Sequence, residues 1–460
     1  MEQGRVTARA AETPQETTMP ELRRRYLANA LCAVLALSAA GSASAADIAP
    51  GGDLRAAIAA LRPGEELRLA GGTYTLDSSF RVTVNGTAQQ PIVMRSRDGE
   101  RALIRQTNAG QNIFEISGSS YFVVRNIEFT GGSHGIRLMD SDYITVENCE
   151  LHDTGDVAIS ANSGGTYEGL KLLRNHIHHT NGTGEGMYLG CNSNACRVAN
   201  SLIEGNYIHH TNGPTVEQGD GIELKEGSYG NIIRDNVVHD TNYPGIITYS
   251  TVGNGPANVI DGNVIWNTND YSIQSSADAV ISNNIVMGSA ISLQSHQAGS
   301  PANMRVVHNT IISSGSGIEV RNVTGSVVIA NNAVYAQSGN AIRLISGNLG
   351  LVTVAGNVGR GGLSGASSGY VEGKGLSADF VNAAFGIPPI DVFPRTGSAL
   401  IGAANANYAV TNDFNATPRA GSADVGAYRY SASGNPGWKI IAGFKQTGVR
   451  PMPPENVRTL

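Results

Sequence analysis

The chain has 460 residues, a formal net charge of −6 and only 15% charged residues. That balance excludes a surface that attracts polyanions by overall charge, and with it a nucleic-acid partner. An acidic polymer would have to be held by local lysine, arginine or a bridging cation.

From the amino terminus, Arg23-Arg24-Arg25 precedes an apolar run from Tyr26 to Ala40 and the small-x-small site Ala43-Ser44-Ala45. This three-part build reads as a secretory signal peptide over residues 1–45, with Met19 as a second candidate start, and the expected location is secreted or periplasmic. No other segment is long and apolar enough to span a bilayer. Residues 46–110 are expected to form an N-terminal cap and the first coils of the fold. Within them Asp53 to Leu61 predicts a short amphipathic helix with Leu54, Ile58 and Leu61 as its stripe, ended by Pro63-Gly64. Such a helix would plug the open end of a solenoid.

Residues 111–360 carry a repeat. Asn175, Asn206, Asn236, Asn263, Asn284, Asn309 and Asn332 each open a phrase Asn-x-aliphatic at intervals of 21–31 residues, and Asn357 closes the series. A second phrase, small–aliphatic–x–aliphatic, recurs as Gly186-Met187-Tyr188-Leu189, Gly221-Ile222-Glu223-Leu224 and Gly317-Ile318-Glu319-Val320. A β-branched phrase such as Asn231-Ile232-Ile233-Arg234 precedes each asparagine. Alternation marks short strands, and a period of this size marks stacked coils. The predicted fold is therefore all-β, a single-stranded right-handed parallel β-helix. It should have about ten to twelve coils at ~4.8 Å each, with the asparagine amides stacked as a ladder. Cys191 and Cys196 bracket a four-residue loop and suit a local disulfide in an oxidising compartment, and Cys149 falls at the ladder position one coil earlier. His152, His178, His209 and His239 share one outward position on four coils, followed by Trp266 and Met287. Stacked imidazoles cannot all be charged cheaply, so depressed pKa values are expected. His209 or His239 could then act as acid or base, Trp266 could carry a sugar ring, and a transition-metal site is a further use of the column. Residues 361–432 read as an irregular closing segment and 433–460 as a loosely held tail.

Several phrases resemble a known group. Leu61-Arg62-Pro63-Gly64-Glu65-Glu66-Leu67-Arg68-Leu69, Gly72-Thr73-Tyr74, Asn85-Gly86-Thr87 and Pro91-Ile92-Val93-Met94-Arg95-Ser96 resemble the opening of bacterial secreted β-helix polysaccharide lyases, the group that contains chondroitinase B and alginate lyases. The Asp413–Tyr428 segment is similar to the tail of many secreted β-helix proteins. In those lyases a comparable strand carries calcium-binding acids followed by a catalytic lysine, a pattern that Glu223 and Lys225 match, so the resemblance implies Ca²⁺. They place an arginine on the next coil, where this chain has Ile247-Thr248-Tyr249-Ser250.

The residues themselves point the same way. Glu223 and Lys225 alternate with core positions and should face outward, with Tyr188 on the preceding coil and Tyr249 on the next. Asp220 stands where the chain enters the strand, and Glu185 at the equivalent place one coil earlier. Elimination from a uronate needs its carboxylate neutralised, its C5 proton taken by a base and its leaving oxygen protonated. Lys225 is the candidate base, Tyr249 the candidate acid, Glu223, Asp220 and Glu185 the candidate metal ligands, and Tyr188 with Trp266 the candidate sugar contacts. Bare carboxylates would raise the lysine pKa, so the scheme requires the cation. The expected activity is a polysaccharide lyase on an acidic polysaccharide, by a monomer. The alternatives are a non-catalytic glycan-binding β-helix and a hydrolase or epimerase on the same frame.

Overall fold

The structure, a computed structural model, describes residues 45–446. The signal-peptide reading and the last residues of the chain lie outside them. Three long sheets run through the described residues, of 13, 12 and 13 strands. The first runs from Ala45–Ile48 to Val352–Ala355, the second from Arg81–Val82 to Leu363–Ser364, and the third from Gly72–Leu76 to Tyr370–Glu372. Each coil visits the first, third and second sheets in turn, as in Ile232–Arg234, Val237–Thr241 and Ile246–Thr248, and every pairing within these sheets is parallel. With 13 strands in its longest sheets the stack is one level longer than the upper end of the expected ten to twelve coils, and the levels before residue 111 pair in register without the asparagine phrase.

The asparagine ladder forms. Asn175, Asn206, Asn236, Asn263, Asn284, Asn309 and Asn332 each donate from Nδ2 to Oδ1 of the next asparagine at 2.9–3.1 Å, ending on Asn357. Each amide also donates to a core carbonyl, so buried polar atoms that would otherwise cost about 1–3 kcal/mol apiece are paired. Cys149 starts the ladder, its backbone N–H donating to Asn175 Oδ1 at 3.0 Å. The residue before each ladder asparagine is left-handed: Arg174, Asp235, Asn283, His308 and Asn331 have φ of 52–59°, and glycine fills the other three places. That conformation turns the chain sharply between the first and third sheets and turns the asparagine amide inward.

Between the sheets lies one continuous aliphatic core. The helix spans Leu54–Ala59, with Asp53 accepting from Ala56 N at its start; Leu54 and Ile58 join that core and Leu61 packs against it. A second core lies outside the coils. Val237, Val264, Trp266, Ile285, Met287 and Ile312 project from the outer face of the third sheet and are covered by Phe380, Phe393, Phe414, Tyr428, Trp438 and Ile440. Residues 433–446 are thus not a loose tail. Trp438 and Ile440 are buried anchors, and Lys445 reaches Asp235 at 2.6 Å and Gly262 O at 2.8 Å. Among the described residues no helix is long and apolar enough to cross a membrane.

Candidate functional site

The strand Ile222–Leu224 belongs to the second sheet, and its register places Tyr188 beside Glu223 on one side and Ile247 on the other. Ile222 and Leu224 fill the core, so Glu223 and Lys225 project from the outer face. They are not exposed on it, as the alternation suggested. Glu223 retains 2% and Lys225 5% of its accessible surface. The cover comes from the loop after Ile291–Leu293: His296 stacks on Tyr249 at 4.8 Å between centroids, Ala298 N donates to Glu226 Oε1 at 3.1 Å, and Gln297 Nε2 donates to Asn192 Oδ1 at 2.9 Å. Asn192 itself lies in the loop closed by the Cys191–Cys196 disulfide.

Under this strap the side chains interlock. Lys225 Nζ pairs with Glu223 Oε1, and Tyr249 donates to the same oxygen at 2.9 Å. The ammonium sits 4.5 Å from the Tyr188 ring centroid and 5.1 Å from that of Tyr249, a cation between two aromatic faces. Burial pulls the Lys225 pKa down, but the Glu223 charge and hydrogen bond outweigh it, and the net displacement is upward. The Tyr249 hydroxyl is pushed up by burial and by the Glu223 charge, and that of Tyr188 by burial. Both therefore keep their protons.

Beside the pair, Glu185, Asp220 and Glu223 each bring a carboxylate oxygen within 4.8 Å of the others. All three residues are buried, and Glu185 Oε1, Asp220 Oδ1 and Glu223 Oε2 have no hydrogen-bond partner. Thr183 donates to Glu185 Oε2 at 2.6 Å, which leaves Oε1 as the oxygen without a partner. Burial raises the Asp220 pKa well above the usual range, with the Glu223 and Glu185 charges adding to it; burial raises that of Glu185. Oxygen ligands at about 2.3–2.6 Å from a Ca²⁺ ion stand up to about 5 Å from one another, so three carboxylates at this spacing fit a hard divalent cation.

The histidine column is real but separate. His152, His178, His209, His239 and Trp266 stand in register on the third sheet, their rings stacked at 5.1, 5.1, 5.1 and 4.2 Å. Burial and the neighbouring imidazoles hold His209 down at about 2, burial lowers His239, and burial with His178 takes His176 to about 4. The residues that follow the stacked positions, Asp153, His179, His210, Asp240 and Asn267, all have φ of 51–54° and form the next corner. Two expectations are corrected here. His209 and His239 belong to a different sheet from Lys225, so the fold does not bring them to one reaction centre. Trp266 is buried in the second core, packed with residues of the closing segment, and presents no open face to a sugar. The strap was missed because nothing local marks it: its contacts to Glu226 and Asn192 span 72 and 105 residues.

No arginine stands near Lys225 on the next coil, where Ile247 faces Glu223. Arg321 and Arg343 are further along and engaged with Glu319 at 2.7 and 3.6 Å.

Comparison with known proteins gives four findings. Pectate lyase PEL9 of Emericella nidulans (strain FGSC A4) is 28% identical over 144 residues, 27% of this chain and 35% of that protein, so the chain spans about a third of the length of that relative. The crystal structure of pectate lyase Pel9A matches over 84% of this chain and 96% of its own, with 16% identity and a TM-score of 0.51. The complex structure of XylC with xylose covers 84% and 98%, with 10% identity and a TM-score of 0.55. Both structural likenesses speak to the fold. The family model described as "Pel9A-like, right handed beta helix region" matches residues 35–341, two thirds of the chain, which fixes the hand of the coils. The chain belongs to the Pel9A-like right-handed β-helix family.

Proposed function

We propose that the protein is an exported polysaccharide lyase that cleaves a uronate-containing glycan by metal-assisted β-elimination, with its centre at Lys225. The observation that carries this reading is the set of three buried carboxylates with orphaned oxygens abutting a lysine that is clamped between two tyrosines. The pectate lyase relative supports the reaction class and makes polygalacturonate the first substrate to test.

Glu185, Asp220 and Glu223 would hold the cation. When bound, it supplies positive charge that neutralises the substrate carboxylate and weakens the grip of Glu223 on the Lys225 proton. Lys225, as the free amine, takes the proton from C5 of the uronate. The electron pair left on C5 forms the C4–C5 double bond as the C4–O bond breaks. Tyr249, whose hydroxyl is held protonated, donates to the departing oxygen and recovers its proton from solvent. The Tyr188 ring lines the same place and suits the apolar face of a sugar. For substrate to reach Lys225, the strap carrying His296 has to lift, a motion of the loop rather than of the coils.

One observation favours a second reading, a non-catalytic glycan-binding β-helix: in this structure Lys225 is buried and its pKa is raised. The two readings separate on incubation with polygalacturonate, alginate and dermatan, with Ca²⁺ and with EDTA, followed by ultraviolet absorbance of unsaturated uronate ends. Absorbance that grows with Ca²⁺ and stops with EDTA is the expected result. Binding of a polymer with no new ends under either condition would replace the lyase reading with the binding one.

A further inference from the structure

The third sheet holds a second cluster with a different ligand chemistry. Glu150 lies directly beside His176 in register, and His176 and His178 alternate on one strand, so all three side chains share a face. Glu150 Oε1 stands 3.4 Å from His176 Nδ1 and 3.2 Å from His178 Nε2, and one ligand atom from each residue lies within 4.8 Å of the others. We propose that Glu150, His176 and His178 form a binding site for a borderline transition-metal dication of the Zn²⁺ class, separate from the carboxylate site beside Lys225.

The distances fit that ion. Bonds of about 2.0–2.1 Å at tetrahedral angles put neighbouring ligand atoms about 3.3–3.4 Å apart, close to both separations. Two imidazoles and one carboxylate are a borderline donor set, whereas the all-oxygen set at Glu185, Asp220 and Glu223 suits a hard cation.

The surroundings orient each ligand. Arg101 Nη2 holds Glu150 Oε2 at 2.5 Å, which leaves Oε1 for the histidines. His176 Nε2 is 2.9 Å from His209 Nε2, and His178 Nδ1 is 2.7 Å from His179 Nδ1. With His176 and His178 as the donors in these contacts, their remaining nitrogens present lone pairs toward Glu150 Oε1. A metal-ligating histidine characteristically gives its other N–H to such a partner, and both histidines have one. His209 passes the bond on to His210, which fixes its own tautomer. Glu150 and His176 also line a cavity of about 370 Å³ with Arg101, Arg174 and Phe444, leaving room for a fourth ligand from solvent.

The test starts from full-length protein stripped of metal and titrated with Zn²⁺ against a competing chelator, with Co²⁺ as a spectroscopic substitute. Expected are one equivalent bound, intense visible bands of four-coordinate Co²⁺, and zinc X-ray absorption showing two imidazole ligands. His176→Ala and His178→Ala should each weaken Zn²⁺ at least about 100-fold, a larger loss than outer-shell changes give. Asp220→Asn should leave Zn²⁺ affinity unchanged. The absorption spectrum is taken on the unaltered protein, so it decides the matter even where a variant misfolds. No stoichiometric Zn²⁺ binding, a spectrum without imidazole, or undiminished affinity in the histidine variants overturns the site.

Discussion

Lys225→Ala should lower elimination on the cleaved polymer by about 10²–10⁴-fold, the range expected when a positioned proton-transfer group is lost. That variant alone does not separate chemistry from scaffolding, because it also strips the buried Glu223 of its cationic partner. Removing one side of such a pair costs about 3–5 kcal/mol, partly relieved here by the Tyr249 hydrogen bond. Lys225→Arg is the discriminating comparison. Arginine keeps the charge and the pairing to Glu223 but does not surrender a proton near neutral pH. A lysine that only braces Glu223 would be rescued by arginine in rate as well as in melting temperature. A lysine that serves as base would be rescued in melting temperature alone, with the rate still down by at least about 100-fold. Initial rates of unsaturated product, read beside thermal melts of both variants, make the distinction.

The largest effect on stability is expected inside the ladder. Asn263→Ala deletes four side-chain hydrogen bonds: from Nδ2 to Ile233 O and to Asn284 Oδ1, each at 2.9 Å, and from Asn236 N and Nδ2 to Oδ1 at 3.0 and 2.9 Å. The abandoned groups are buried between coils, out of reach of water. At about 1–3 kcal/mol for each group left unpaired, partly offset by relaxation, the variant should lose about 3–5 kcal/mol in denaturant unfolding. Asn269→Ala, at an exposed turn of the same coil, should stay within about 0.5 kcal/mol of the parent. Equal losses at the two positions would mean that the amide stack contributes nothing specific.

The coils were legible because each repeats the same physical problem. An inward amide needs a partner above and below, so Asn175 to Asn357 had to recur, and the corner before each one selects residues tolerant of the left-handed region. The outer core was legible only in part. Runs such as Ile285-Val286-Met287 and Ala333-Val334-Tyr335 are apolar on both faces, the mark of a strand covered on both sides, and they announce that something must lie over the third sheet. What lies over it is an irregular segment whose anchors, Phe393, Phe414 and Trp438, follow no period. The same limit applies at Lys225. The acids, the lysine and the tyrosines could be placed from strand register, whereas the His296 strap could not, because loop-to-loop contacts leave no trace in local spacing. The histidines were read correctly as a stack, and burial lowers the pKa of His178, His209 and His239, but Asp153 and Glu128 outweigh burial at His152 and raise it. Assigning the stack to the reaction ignored that a three-sided coil separates the residues of different sheets.

In the proposed reaction Glu185, Asp220 and Glu223 hold a hard cation that frees Lys225 to act as a base. Calorimetric titration of Ca²⁺ into the protein, repeated in buffers of different ionisation heat, tests it most directly. The carboxyls of Asp220 and Glu185 have raised pKa values in the folded chain, so below those values the ion displaces protons as it binds. Between the ordinary carboxyl pKa and these raised values the metal-free folded state binds more protons than the unfolded one. Its stability therefore falls as pH rises through that window, and Ca²⁺ should restore more stability at about pH 8 than at about pH 5. Expected are one Ca²⁺ per chain, proton release on binding, affinity that climbs with pH, and loss of the binding heat in Asp220→Asn. Calcium binding that is absent, or that is unchanged by pH and by Asp220→Asn, would contradict it.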